Sequence, residues 1–168
     1  RILENDKERK IKAIMPVHLY GQAADMTKIL SLANRYLIPV IEDACQAIGT
    51  QHDRGQVGTL GHLAAFSLFP TKNLGAFGDA GFVTTNDPQL GDKVTLLRTH
   101  GSTIRYHHEI VGSNCRIDTL QAAILRVFLP HLNHWINLRQ KAAAYYDEQL
   151  KTLSSLIQTP VRVPYSTH

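Results

Sequence analysis

Apolar and polar residues alternate along this chain in short and longer blocks, and the period of each block predicts an element. Residues 11–19 (IKAIMPVHL) are rich in β-branched and apolar side chains and read as a buried strand. Residues 24–37 place Ile29, Leu30, Leu32, Ala33, Tyr36 and Leu37 on a helical stripe, and Asp25 is a natural N-cap, its carboxylate accepting free N–H groups of the first turn. The run 38–42 ends at Glu42 and Asp43 and predicts a parallel strand, so 11–43 has the size of one strand–helix–strand crossover. Gly55, Gly58 and Gly61 mark a loop. Residues 63–69 and 81–85 predict two further strands, separated by a glycine-rich segment at 74–80. A helix over 87–99 follows, with Pro88 suited to its first turn.

The second half changes character. Residues 118–129 carry apolar positions at 120, 124, 127 and 128 with Asp118 as the expected cap, and Pro130 should end or kink that helix. An amphipathic stretch then runs to Leu153, with Trp135, Leu138, Ala142, Tyr145 and Leu150 near the helical period. Residues 156–163 read as a strand that starts a new unit. The fold class is α/β, with an organisational break near Pro130.

Composition narrows the function classes. The chain has 168 residues, 43% of them hydrophobic, and 18 Lys+Arg against 14 Asp+Glu give 18 − 14 = +4. That charge is too mild to point to nucleic acid. No apolar run approaches the ~18 residues of a membrane span. The opening RILENDKERK has no apolar stretch behind it and does not read as a secretory signal. Two cysteines, Cys45 and Cys115, make neither a disulfide framework nor a cysteine-rich zinc site, and fit reduced thiols in the cytoplasm. The nine histidines show no ligand spacing with a nearby acid, so no metal is expected. The lack of an initiator Met and the extended ending are expected of a piece of a longer chain.

Candidate chemistry concentrates between Asp43 and Asp79. Asp43 follows a strand, where α/β sheets hold their ligands. Lys72 follows another strand in Phe69-Pro-Thr-Lys-Asn-Leu-Gly75, and Ser67 stands five residues before it. The glycines at 75, 78 and 81 are spaced G-x-x-G-x-x-G, which matches neither the dinucleotide fingerprint nor the P-loop. An acid, a lysine and a hydroxyl at strand ends suit pyridoxal phosphate, which needs an amine for its Schiff base, an acid for its ring nitrogen and donors for its phosphate. Singly, each has a plainer reading: a solvated lysine, a helix-capping Asp, a small strand Ser.

The residue strings carry more. Val17-His-Leu-Tyr-Gly-Gln22, Pro39-Val-Ile-Glu-Asp-Ala-Cys-Gln-Ala47, Phe66-Ser-Leu-Phe-Pro-Thr-Lys-Asn-Leu-Gly75, Gly78-Asp-Ala-Gly81, Arg98-Thr-His-Gly101 and Asn114-Cys-Arg-Ile-Asp118 occur in this order. Together they resemble the DegT/DnrJ/StrS family of pyridoxal-phosphate-dependent nucleotide-sugar aminotransferases. The resemblance implies a fold-type I transferase large domain, α/β/α with a mostly parallel sheet, present in part over 1–129. A linking helix and the beginning of a small α+β domain would occupy 130–168. It implies Lys72 as the Schiff-base lysine, Asp43 as the partner of the ring nitrogen, Gln46 on the phenolic oxygen and Ser67 on the phosphate. Cys45 would pack under the ring. Asn114 would reach the phosphate of a neighbouring subunit in a homodimer with shared active sites.

His18, Tyr20 and Gln22 either pack the strand end or line the sugar pocket. The implied partners are a nucleotide-linked keto sugar, with a 3-keto sugar favoured, and an amino-acid donor, glutamate by resemblance. Neither nucleic acid nor membrane is expected as a partner. The alternative function is a non-catalytic or regulatory cofactor-binding homologue. Against it stands Lys72, the position at which sugar-deoxygenating relatives carry histidine.

Overall fold

The computed structural model describes residues 1–167. A short helical turn, α1 (Ile2–Asn5), precedes the extended run. Helix α2 (Met26–Tyr36) is capped as expected, the Asp25 carboxylate accepting from the Lys28 N–H at 3.1 Å. It turns Met26 and Ala33 into a cluster with Val40, whereas Leu32 and Leu37 point outward. Strand β1 (Ile41–Asp43) follows, then a small hairpin of β2 (Gln51–His52) and β3 (Gly55–Gln56) inside the expected loop. Strands β4 (Leu63–Ser67) and β5 (Gly81–Thr84) flank the glycine-rich segment. Helix α3 (Pro88–Arg98) starts at Asp87, whose side chain accepts from the N–H groups of Gln89 and Leu90. A second small hairpin, β6 (Ser102–Ile104) with β7 (His107–His108), precedes helix α4 (Thr119–Phe128). The turn Leu129–His131 holds Pro130, and α5 (Leu132–Leu150) follows, ending in a 3₁₀ turn at Lys151–Leu153.

The central sheet has the order β1–β4–β5. β1 and β4 run parallel, pairing Ile41 with Leu63 and Asp43 with Ala65, while β5 lies antiparallel to β4. On the far side of β1 the run 11–19 lies alongside in parallel, but only as bridges at Ile14 with Val40 and Val17 with Asp43. Pro16 supplies the reason. The bonds Ile14 N–H to Pro39, Ile41 N–H to Ile14, Asp43 N–H to Pro16 and His18 N–H to Asp43 all form at 2.9–3.0 Å. The rung that would come from residue 16 cannot, since proline has no N–H.

Three further expectations are corrected. The Asp118 side chain makes no cap hydrogen bond to α4. Residues 156–163 form no strand. Instead the chain returns farther on, Ser166 bridging His52 and the Thr167 N–H bonding to the Gln51 carbonyl at 2.9 Å. On α5, Leu138 and Tyr145 of the expected apolar stripe are exposed, while Leu132 and Ile136 face the cluster of Leu68, Leu74, Ala76 and Leu125. Among the described residues no helix is long and apolar enough to cross a membrane.

Candidate active site

Parallel pairing brings the carboxyl ends of β1 and β4 side by side, with Asp43 opposite Ala65 and Ser67 two residues farther along its strand. After Asp43 the chain turns sharply. The Asp43 Oδ1 accepts from the Cys45 N–H at 3.1 Å, and the Ala44 N–H donates to Ala65 at 2.9 Å. This turn places Cys45 and Gln46 at the mouth of a cleft, and the Gln46 Oε1 accepts from the Tyr20 N–H at 2.8 Å. Tyr20 sits in the left-handed region at φ 56, which this contact helps to hold.

The lysine arrives from the other strand. After Ser67, whose Oγ accepts from the Phe69 N–H at 3.3 Å, a tight loop runs to Gly75. The Lys72 N–H donates to the Phe69 carbonyl at 2.9 Å, and the Ala76 N–H returns to Leu68 at 2.8 Å. Leu74 and Ala76 anchor the loop in the core beneath α4 and α5. Gly75 is obligatory at this closure, because a Cβ there would stand 2.5 Å from the Pro70 carbonyl oxygen. Lys72 is thus displayed on a pinned loop, between buried anchors.

The cleft so formed has a volume of about 370 Å³. Tyr20, Cys45, Gln46 and Lys72 line one part of it, with Thr71 and Asn73 beside the lysine. Ile136, Arg139, Gln140 and Ala143 of α5 close another side. The charges of Asp43 and Lys72 meet at Cys45. Burial raises its thiol pKa first and the Asp43 hydrogen bond and negative charge raise it further, while Lys72 pulls the other way. Acid, lysine, amide and hydroxyl therefore converge on one end of the sheet, a donor set that fits pyridoxal phosphate.

Three sequence-singled residues lie elsewhere. His18 has no exposed surface, and both ring nitrogens are engaged, with the Glu42 Oε2 and the Ala24 N–H each at 3.0 Å. Of its two candidate places the structure puts it in the packed strand end, not on the cleft. Gln22 turns to the returning chain, its Oε1 accepting from the Val163 N–H at 2.9 Å. Asn114 is exposed, pairs its backbone with Thr99, and accepts from the Arg116 Nε at 2.8 Å through its side chain.

Glu42 is the residue that periodicity missed. It is fully buried, and its carboxylate also accepts from Gly58, Leu60 and Gly61 at 2.9, 2.8 and 2.6 Å. Burial alone would raise its pKa, but the His18 donor and these three N–H groups outweigh it and hold the carboxyl below its ordinary value. Gly58 meets the carboxylate at φ 94, and a Cβ there would lie 2.4 Å from the Phe66 ring. The signal available in sequence was a charged residue inside an apolar strand, followed by glycines 16 and 19 positions later. Arg139 was likewise beyond reach, because only packing brings α5 to the cleft. Among the described residues no three His, Cys, Asp or Glu side chains gather as a metal site.

Comparison with known proteins bears on family and fold. A family model described as the DegT/DnrJ/EryC1/StrS aminotransferase family matches residues 3–168. A "UDP-N-acetyl-3-dehydro-alpha-D-glucosamine 3-aminotranferase" of Acidithiobacillus ferrooxidans is 50% identical over 141 residues, covering 84% of this chain and 38% of that protein. A "Pleiotropic regulatory protein" of Geobacillus stearothermophilus is 49% identical over 160 residues, covering 95% and 43%. The structure superposes on S. venezuelae DesV, solved in complex with a ketimine intermediate, with a TM-score of 0.85 and 43% identity over 93% of this chain and 42% of that one. The chain spans less than half the length of these relatives.

Proposed function

The chain belongs to the DegT/DnrJ/EryC1/StrS aminotransferase family, and from that premise we propose that the protein it comes from is a pyridoxal-phosphate-dependent sugar aminotransferase. It moves an amino group from an amino acid, glutamate in this reading, to a nucleotide-linked keto sugar in amino-sugar biosynthesis. The 3-keto position is favoured by the name of the Acidithiobacillus relative. The observation that carries the reading is that Lys72 lines the cleft from the loop after β4 while Asp43, at the end of the neighbouring β1, acts with it on Cys45 at the cleft wall.

Each residue then has a task. Bound pyridoxal phosphate supplies a protonated ring that draws electrons from the carbon losing its proton. The Asp43 carboxylate keeps the proton on the ring nitrogen. The Lys72 Nζ carries the amine that links to the cofactor, and between linkages it takes up and returns the substrate's proton. Gln46 binds the phenolic oxygen, Ser67 the phosphate, and Cys45 packs beneath the ring. Asn114, exposed and away from the Lys72 cleft, suits a contact to a second subunit of a homodimer. Tyr20 stands where a sugar would enter, and Gln22 supports that edge through Val163. In the whole protein residues 1–129 belong to the cofactor domain and 130–168 lead from it into a smaller one; residue 168 lies outside the described residues. The reaction is placed in the cytoplasm.

The test is the purified full-length protein with pyridoxal phosphate, glutamate and a 3-keto sugar nucleotide. Expected are a visible absorption band that borohydride bleaches and formation of 2-oxoglutarate with the amino sugar. A protein that neither binds the cofactor nor yields 2-oxoglutarate with any keto-sugar nucleotide overturns the reading.

A further inference from the structure

His18 is enclosed within the fold and touches no part of the cleft, yet its bonds reach the strand that ends at Asp43 and the segment that follows the Tyr20 turn. The Nδ1 accepts from the Ala24 N–H at 3.0 Å, so this nitrogen carries no proton. The neutral ring's proton therefore sits on Nε2 and is donated to the Glu42 Oε2 at 3.0 Å. Glu42 is adjacent to Asp43 in the chain. The backbone of His18 grips Asp43 directly as well, its N–H donating to the Asp43 carbonyl at 3.0 Å.

The other side of the connection runs through the turn Leu19–Gly21, which starts immediately after His18. Its middle residue, Tyr20, donates its N–H to Gln46. Its end is held by the Thr50 Oγ1, which donates to the Gly21 carbonyl at 2.6 Å. Shortly beyond it comes Ala24, whose N–H returns to the His18 ring. One imidazole thus closes the loop that presents Tyr20 and, with its opposite nitrogen, fastens the carboxylate beside Asp43. An apolar side chain of the same size would take from the buried Oε2 one of its two donors, leaving only Gly58, and strip the part-buried Ala24 N–H of this acceptor, a costly arrangement in this setting.

Resting on the reading of Asp43 and Gln46 as cofactor ligands, we propose that His18 is a positioning residue: as the Nε2–H tautomer it sets the Asp43 strand end and the Tyr20–Gln46 contact relative to one another. It acts on the cofactor only through those groups.

Two substitutions separate its bonds. His18→Asn keeps an amide oxygen near the position of Nδ1 and loses the donor that reaches Glu42. His18→Gln extends an amide N–H toward Glu42. Both are made in the full-length protein and read by three measurements: affinity for pyridoxal phosphate, the pH midpoint of the bound cofactor's visible band, and amide hydrogen exchange of the cofactor-free protein.

For His18→Asn the expected result is about tenfold weaker cofactor binding, a displaced pH midpoint, and faster exchange at the Tyr20 and Asp43 amides. His18→Gln should recover most of the affinity and return the midpoint toward wild type. Wild-type affinity and midpoint in both variants, with only a lowered melting temperature, would make His18 a packing residue and overturn the proposal. Failure of the wild type to bind the cofactor would sink the aminotransferase reading. The exchange experiment then still decides the positioning claim, which falls if the Tyr20 and Asp43 amides are as protected in His18→Asn as in wild type. Should His18→Asn not fold, His18→Gln carries the test alone: lacking the Nδ1 acceptor, it should still speed exchange at the Ala24 and Tyr20 amides, and wild-type protection at both overturns the proposal.

Discussion

Glu42 and Asp43 are consecutive acids on one strand, and the fold treats them in opposite ways. Side chains alternate across a strand, so the two carboxylates face different sides of the sheet. Glu42 enters a closed pocket with no exposed surface and receives four donors, from His18, Gly58, Leu60 and Gly61. Asp43 is half-buried at the strand's end, and its Oδ1 accepts from the Cys45 N–H. A saturated carboxylate is a structural fastener with no lone pair left for a ligand. An acid with spare acceptors at a strand end, acting with Lys72 on the same thiol, keeps the capacity to bind a ligand.

The largest effect expected is on the open side. Lys72→Ala should lower amino transfer by on the order of 10³-fold or more, because both the linkage and the proton carrier are lost. Its melting temperature should stay near wild type, since the loop is anchored by Leu74 and Ala76 and not by the lysine. Steady-state 2-oxoglutarate release together with a thermal melt checks both statements. Activity retained in Lys72→Ala removes this lysine from the mechanism.

The closed side should give the mirror image. Glu42→Ala leaves three backbone N–H groups and the His18 donor without an acceptor, for a loss of about 3–5 kcal/mol of folding stability. Denaturant unfolding measures it. A loss of less than about 1 kcal/mol would mean that water or a rearranged loop replaces the carboxylate.

The same acid predicts a pH dependence. Its carboxyl lies below the ordinary glutamate value of 4.5 in the folded state, so the unfolded chain takes up the proton first as pH falls. The stabilisation is therefore complete above that ordinary value and is lost as pH drops through the folded value. Glu42→Gln should be less stable at neutral pH and show a flatter decline between about pH 5 and 3. Parallel slopes for the two proteins would place the acid sensitivity elsewhere.

The smallest effect sits between the two faces. The Cys45 thiol is held above its ordinary pKa by burial and then by Asp43, so alkylation at neutral pH should be slower than for a free thiol. Asp43→Asn should speed it by a few-fold, a change that a labelling time course with mass spectrometry resolves. An unchanged rate would show that burial alone governs the thiol.

Much of the fold was legible because short-range chemistry decides it. Asp25 caps its helix, Pro88 stands in the first turn of α3, and Pro130 marks the turn between α4 and α5, since a missing N–H acts wherever it falls. Other elements escaped for reasons just as physical. Pro16 broke an apolar run into isolated bridges by removing one rung. Residues 156–163 had a strand's composition but no strand pairs with them. Leu138 and Tyr145 kept helical spacing on a face that this chain leaves exposed.

Residue strings alone were enough to mark the candidates: those around Asp43, Ser67 and Lys72 offer an acid, a hydroxyl and an amine. Their assembly was a tertiary decision. Parallel pairing of β1 with β4 placed Asp43 next to the strand that leads to Lys72, and α5 brought Arg139 to the cleft from far along the chain. Only folding could assign His18 to a buried carboxylate instead of a pocket wall. Burial and the donors that answer it are set by distant segments, and residue type alone does not contain them.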